Sequence, residues 1–161
     1  MLIRVHPAMT VLYSTRRTTI GELGNFAGTA VRDLYRYVAD LDLLVCGPQY
    51  WFYYDPDGRP MTAGDGPPFK SGSRFTLEIA LPVQGQIPTT LLPWFKQIPS
   101  FKCLSSRYEG PWEGMPAIYS KMMEHIAAQG LSMNGMVAES FLHIDFPAPK
   151  NNITEIQIGL L

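Results

Sequence analysis

Two glutamates stand in segments that alternate apolar and polar residues: Phe75-Thr76-Leu77-Glu78-Ile79-Ala80-Leu81 and Ile153-Thr154-Glu155-Ile156-Gln157-Ile158. Successive side chains of a strand point to opposite faces of its sheet. Phe75, Leu77, Ile79 and Leu81 are therefore expected against a core, as are Ile156 and Ile158. Glu78, Glu155 and Gln157 are expected on the other face. A carboxylate in a hollow lined by aromatic rings is a receptor for an organic cation, because charge attraction is joined by cation–π attraction of roughly 0.5–2 kcal/mol per ring. On an open sheet face the same group is only solvated, which is the plainer reading of Glu78. A desolvated glutamate can also act as a general base toward a reactive small molecule. Glu155 with Tyr53 or Tyr119 would be the pair for such a hydrolysis.

The aromatic residues supply candidate walls. In Tyr50-Trp51-Phe52-Tyr53-Tyr54, alternation puts Trp51 and Tyr53 on one face and Tyr50, Phe52 and Tyr54 on the other. One set belongs to the core and the other to the hollow, and spacing does not say which. Trp112, in Tyr108-Glu109-Gly110-Pro111-Trp112-Glu113, sits at a helix entrance, either as a hydrophobic staple or as a pocket wall. Tyr35 and Tyr119 fall on apolar helix faces, where packing is the ordinary role. The expected ligand contacts are Glu155, Gln157, Trp112, Tyr119, Phe141, Trp51, Tyr53, Tyr35 and Glu78.

Other chemistries lack their residues. His6, His125 and His143 have no metal-ligand spacing with one another or with a Cys or carboxylate, so neither metal nor cofactor is expected. Gly21-Glu22-Leu23-Gly24 lacks the spacing of a nucleotide-binding loop, and no Gly-x-Ser-x-Gly elbow occurs. Cys46 and Cys103 read as free thiols of a cytoplasmic protein. The net charge is −1 and the closest approach to a basic stripe is Arg16-Arg17, which argues against direct nucleic-acid binding. No apolar run reaches the roughly twenty residues of a bilayer span, and Met1-Leu2-Ile3-Arg4 does not open a signal peptide.

The chain has 161 residues, 46% hydrophobic and 17% charged, as one domain with a real core would. Helical spacing runs through Ile20, Leu23, Ala27, Ala30, Val31, Leu34, Tyr35 and Val38, and Thr19 with Glu22 suits a capping box. A second stripe joins Met115, Ile118, Tyr119, Met122, Met123 and Ile126, with Pro111 before it and Gly130 as its stop. Strands are expected at Ile3–Val5, Val11–Ser14, Tyr50–Tyr54, Phe75–Leu81, Phe101–Ser105, Phe141–Ile144 and Ile153–Ile158, with turns at Asp55–Pro60, Gly64–Pro68 and Pro147–Asn152.

The order of elements repeats. Arg16 matches Arg107, Leu43 and Gly47 match Leu131 and Gly135, Asp55-Pro56 matches Asp145-Phe146-Pro147, and Glu78 matches Glu155. Such order predicts a duplicated strand–helix–strand–strand unit: residues 1–83 and 100–161, joined by a proline-rich connector over 84–99. The fold class is α+β, an antiparallel sheet with both helices on one face and a ligand cleft on the other.

These landmarks resemble a known family. Arg107-Tyr108-Glu109-Gly110-Pro111-Trp112, a helix, Gly135, Phe141 to Asp145 and Thr154-Glu155-Ile156-Gln157-Ile158 are similar to the GyrI-like effector-binding domain. It forms the ligand-binding half of AraC-type and MerR-type activators and has stand-alone relatives. The resemblance implies two SHS2-like repeats around a central cleft. It implies that the last-strand glutamate, here Glu155, meets lipophilic cations amid aromatic rings, as in multidrug-responsive members. Thr18-Thr19-Ile20-Gly21-Glu22 departs from the family's Gly-Pro-aromatic helix entrance in the first half. The resemblance carries two alternatives to binding alone: hydrolysis of strained electrophiles by a Glu and a Tyr, and inhibition by docking to a partner such as DNA gyrase. A homodimer through an exposed edge or aromatic patch is a further option.

Overall fold

The computed structural model describes residues 1–61, 72–87 and 89–161; the expected turn at Gly64–Pro68 lies outside them. Nine strands and two α-helices follow in the order β1 (Leu2–His6), β2 (Met9–Thr18), α1 (Ala27–Asp40), β3 (Leu44–Val45), β4 (Tyr50–Tyr54), β5 (Phe75–Gln84), β6 (Phe95–Ile98), β7 (Phe101–Glu109), α2 (Met115–Ala128), β8 (Met133–His143) and β9 (Ile153–Leu160). Short 3-10 turns precede both helices. The fold is α+β on one antiparallel sheet.

The sheet order is β1-β7-β9-β8-β4-β5-β2-β6, with β3 pairing the end of β5. It reads as two sets of three running outward from the β4–β8 junction: β4, β5, β2 and then β8, β9, β7. Each set is finished by a strand from elsewhere, β6 against β2 and β1 against β7. The duplication expected from sequence is thus a pseudo-twofold arrangement of strands. Leu2↔Ser105 to His6↔Phe101 and Met9↔Ile98 to Leu12↔Phe95 keep one register. Pro7-Ala8 and Pro99-Ser100 interrupt it, since a proline has no N–H to give a ladder. The expected connector over 84–99 therefore ends in a strand, β6.

Both helices pack on the same side, α1 against β5 and β2, α2 against β7. Under them lies the larger core, with Leu34, Val38, Leu77, Ile79, Met122, Ile126, Val137, Ile156 and Ile158. The opposite side is also filled, by Val11, Tyr50, Phe52, Ala80, Ile98, Phe101, Cys103 and Ala138. Trp51 and Tyr53 face the helices and Tyr50 and Phe52 face away, which resolves the choice that alternation leaves open.

Helix boundaries depart from the sequence pattern at the start of α1. Thr19 makes no side-chain cap, and Ile20–Asn25 forms a 3-10 turn, so the α-helix begins at Ala27. Its buried line is Ala27, Leu34 and Val38. Tyr35 lies about 100° around the helix from Leu34 and is 44% exposed, so the expected apolar-face position of Tyr35 is corrected to a solvent-facing one. At the other ends both helices close alike. Gly130 (φ 61) and Asp42 (φ 53) are left-handed, with Leu131 N–H donating to the Ile126 carbonyl and Leu43 N–H to that of Val38. These are Schellman closures.

Candidate functional site

The strip of sheet between the two helix-covered flanks is β4 and β8. Their ladder sets Trp51 opposite Glu139 and Tyr53 opposite Val137, and cross-strand partners share a face. Glu139 therefore points to the helix side, into the larger core. It is 3% exposed. Tyr53 donates its hydroxyl to Glu139 Oε2 at 2.7 Å and Tyr119, from α2, donates to Oε1 at 2.8 Å. Burial pushes the Glu139 carboxyl up to about 7, against the two phenol hydrogen bonds that favour its charged form. Burial, and then the neighbouring carboxylate, raise both tyrosines well above their ordinary range. Among the described residues no Lys, Arg or His pairs with Glu139. A deeply buried carboxylate with only neutral partners is the most unusual electrostatic feature of the molecule.

A file of rings runs from solvent to Trp51, the ladder partner of Glu139. Phe146 is 75% exposed and Trp112 36%. Their centroids are 6.2 Å apart, Trp112 is 5.7 Å from Phe141, and Phe141 is 4.9 Å from Trp51, each pair edge to face. The turn before α2 aims Trp112. Tyr108 hydroxyl donates to the Pro111 carbonyl at 2.9 Å, and a Cβ on Gly114 would come within 2.0 Å of that hydroxyl. A side chain at this position would push the Tyr108 ring out of the turn.

Of the residues expected at a ligand, Trp51, Tyr53, Trp112, Tyr119 and Phe141 come together here. Glu155, Gln157 and Glu78 do not, because they lie on the face turned away from the helices. The Arg4 guanidinium donates to Glu155, Ser105 hydroxyl donates to it at 2.7 Å and Gln157 amide at 3.1 Å. Glu78 accepts from Lys96 Nζ at 2.5 Å. The expected pairing of Glu155 with Tyr53 or Tyr119 is corrected accordingly: both hydroxyls belong to Glu139. Tyr35 belongs to neither group.

Glu139 escaped the sequence reading because β8 was expected to begin only at Phe141. Met133-Asn134-Gly135-Met136-Val137-Ala138-Glu139-Ser140 is poor in β-formers, and it carries a register shift between Met133 and Val137. One signal was present: two residues back from Phe141, strand alternation puts Glu139 on the same face.

A separate cavity of about 680 Å³ lies at the outer flank of α1, lined by Tyr13, Tyr37, Trp94 and Phe95 among others and by none of the expected ligand residues. Among the described residues no metal-holding cluster of His, Cys, Asp and Glu occurs, and no helix is long and apolar enough to cross a membrane.

No family model matches the chain, and no curated protein matches it by sequence. Solved structures do. EcmrR in a DNA complex superposes with a TM-score of 0.70 at 16% identity, over 99% of this chain but 56% of that one, so this chain spans little more than half of EcmrR. The EcmrR C-terminal domain alone gives 0.71 at 15% identity, over 99% and 96%. SAV2435 bound to tetraphenylphosphonium gives 0.61 at 12%, over 99% and 93%, and a hydrolase encoded by lin2189 from Listeria innocua gives 0.62 at 15%, over 99% and 91%. Ladder, helices and repeat order together give this chain the GyrI-like fold of effector-binding domains.

Proposed function

We propose that this chain is a small-molecule-binding module for lipophilic organic cations, with Glu139 as the charge partner. The observation that carries the reading is the Glu139 carboxylate, buried under aromatic rings and given no cation by any of the described residues. Burying an unpaired charge is costly, and a bound cation removes that cost. Trp51, Phe141 and Trp112 offer ring faces and edges along the way in, and Tyr53 and Tyr119 hold the two carboxylate oxygens in place. The fold shared with tetraphenylphosphonium-bound SAV2435 supports the same class of ligand. Glu155, which carries its own arginine, is assigned a structural role.

The test is calorimetric titration of tetraphenylphosphonium into wild type, Glu139→Gln and Glu155→Gln. Loss of a charge-assisted contact of roughly 1.5–3 kcal/mol corresponds to about 10- to 100-fold weaker binding. That loss is expected in Glu139→Gln and not in Glu155→Gln. The reverse result would return the site to Glu155.

One observation favours a second reading. A carboxyl held at about 7 between two phenols suits a general base, and the lin2189 product, named a hydrolase, shares the fold. Turnover of a strained cyclopropane or reactive ester that disappears in Glu139→Gln would establish it.

A further inference from the structure

Trp51 stands opposite Glu139 in the β4–β8 ladder. Its ring is set edge-on against Phe141 at 4.9 Å. Its indole Nε1 is buried and makes no hydrogen bond among the described residues. A donor stranded in this way costs roughly 1–3 kcal/mol, and such groups are rare enough in folded proteins to need a reason. The position supplies one. Directly opposed side chains in an antiparallel pair start about 5 Å apart at Cβ, so a molecule that reaches the carboxylate comes to the Trp51 side chain as well.

Resting on the cation reading above, we infer that Trp51 is the specificity-determining residue of this site: it selects lipophilic cations that carry a hydrogen-bond acceptor, such as a carbonyl or ether oxygen, a few bonds from the charge. A purely hydrocarbon cation satisfies Glu139 and leaves the indole N–H stranded. An acceptor-bearing cation satisfies both, and discrimination by a buried polar group left unpaired is stronger than discrimination by shape. The acid and the indole thus form a two-point reader, with Glu139 sensing charge and Trp51 sensing the oxygen.

The experiment compares two cations of one size and charge, (4-acetylphenyl)triphenylphosphonium and (4-isopropylphenyl)triphenylphosphonium, on wild type, Trp51→Phe and Glu139→Gln. Wild type is expected to bind the acetyl compound about 5- to 10-fold more tightly, the size of one hydrogen bond. Trp51→Phe is expected to erase that preference, so that the variant binds the acetyl and isopropyl compounds with equal affinity. Because the preference is first read on the unaltered protein, it does not depend on the variant folding well. Equal binding of both compounds to wild type, lost in Glu139→Gln, would overturn the role of Trp51 and leave the cation site standing. A preference that survives in Trp51→Phe would overturn it too. Failure of both compounds to bind wild type would overturn the cation reading and this inference together.

Discussion

Three glutamates of this sheet, Glu78, Glu139 and Glu155, are largely withdrawn from solvent, and the molecule treats them in two ways. Glu78 and Glu155 occupy matching places, on the middle strand of each set of three and on the face away from the helices. Each is met by a cation from the strand that finishes its half: Lys96 of β6 reaches across β2 to Glu78, and Arg4 of β1 reaches across β7 to Glu155. Glu139 sits on the opposite face with two phenols and, among the described residues, no cation. A carboxylate whose counterion is built in is part of the structure. One whose counterion is left out is prepared for something that arrives.

The comparison can be broken first at Lys96. Its ammonium also lies over the rings of Tyr13 and Tyr54, and Glu78 is 5% exposed in its side chain. Lys96→Met keeps the aliphatic stem and strands a buried charge, so a loss of about 3 kcal/mol is expected in urea unfolding. Little or no loss would mean that Glu78 does not need its lysine, and the contrast with Glu139 would fail.

The contrast sharpens at Glu139 itself. Its proton is held more tightly in the folded chain than in the unfolded one, so between the ordinary carboxylate range and about 7 the folded state binds more protons. Stability from this group therefore falls as pH rises through that window. Glu139→Gln removes the dependence, and the ligand-free variant is expected to be more stable than wild type at pH 8 by about 2 kcal/mol. Burial lowers the pKa of His6, which acts in the opposite sense, raising stability with pH, but His6 is present in both proteins. The quantity to read is the difference between their urea midpoints from pH 5 to 8. A flat difference would show that the Glu139 carboxyl is not perturbed.

Arg4→Met should cost less, about 1 kcal/mol, because Arg4 is 43% exposed in its side chain and Glu155 keeps Ser105 and Gln157. A loss equal to that of Lys96→Met would make the two structural pairs equivalent in energy as well as in place. The smallest expected effect compares the helix ends. Asp42 holds a left-handed conformation where α2 uses Gly130, and it places a negative charge at a helix C-terminus. Asp42→Gly is expected to raise stability by about 0.5 kcal/mol, measurable as a shift in Tm.

Much of this was legible in the sequence. The split of Trp51 and Tyr53 from Tyr50, Phe52 and Tyr54 follows from alternation alone. So does the facing of Glu78 and Glu155, and the end of α2 follows from Gly130. What stayed hidden depends on contacts between distant residues. The carboxylate under the helices is a glutamate in a strand of weak propensity, and it is recognisable only once Tyr53 and Tyr119, 86 and 20 residues away, close on it. The counterions are equally non-local: nothing near Glu155 in the sequence points to Arg4. Tyr35 shows the opposite failure, where a stripe drawn two residues wide included a side chain that the helix turns outward.

The single register that runs from Leu2↔Ser105 through Leu12↔Phe95 has a consequence in time as well as in space. The strand that completes the second half is made long before the strand it pairs with, and the chain must grow about a hundred residues further before that partner exists. The strand that completes the first half arrives only after that half's helix and sheet strands are in place. A chain so dominated by pairings between distant residues belongs among slow folders, in milliseconds to seconds. During synthesis β1 must wait for β7, so the second half of the duplicated unit is completed by a strand made before either half.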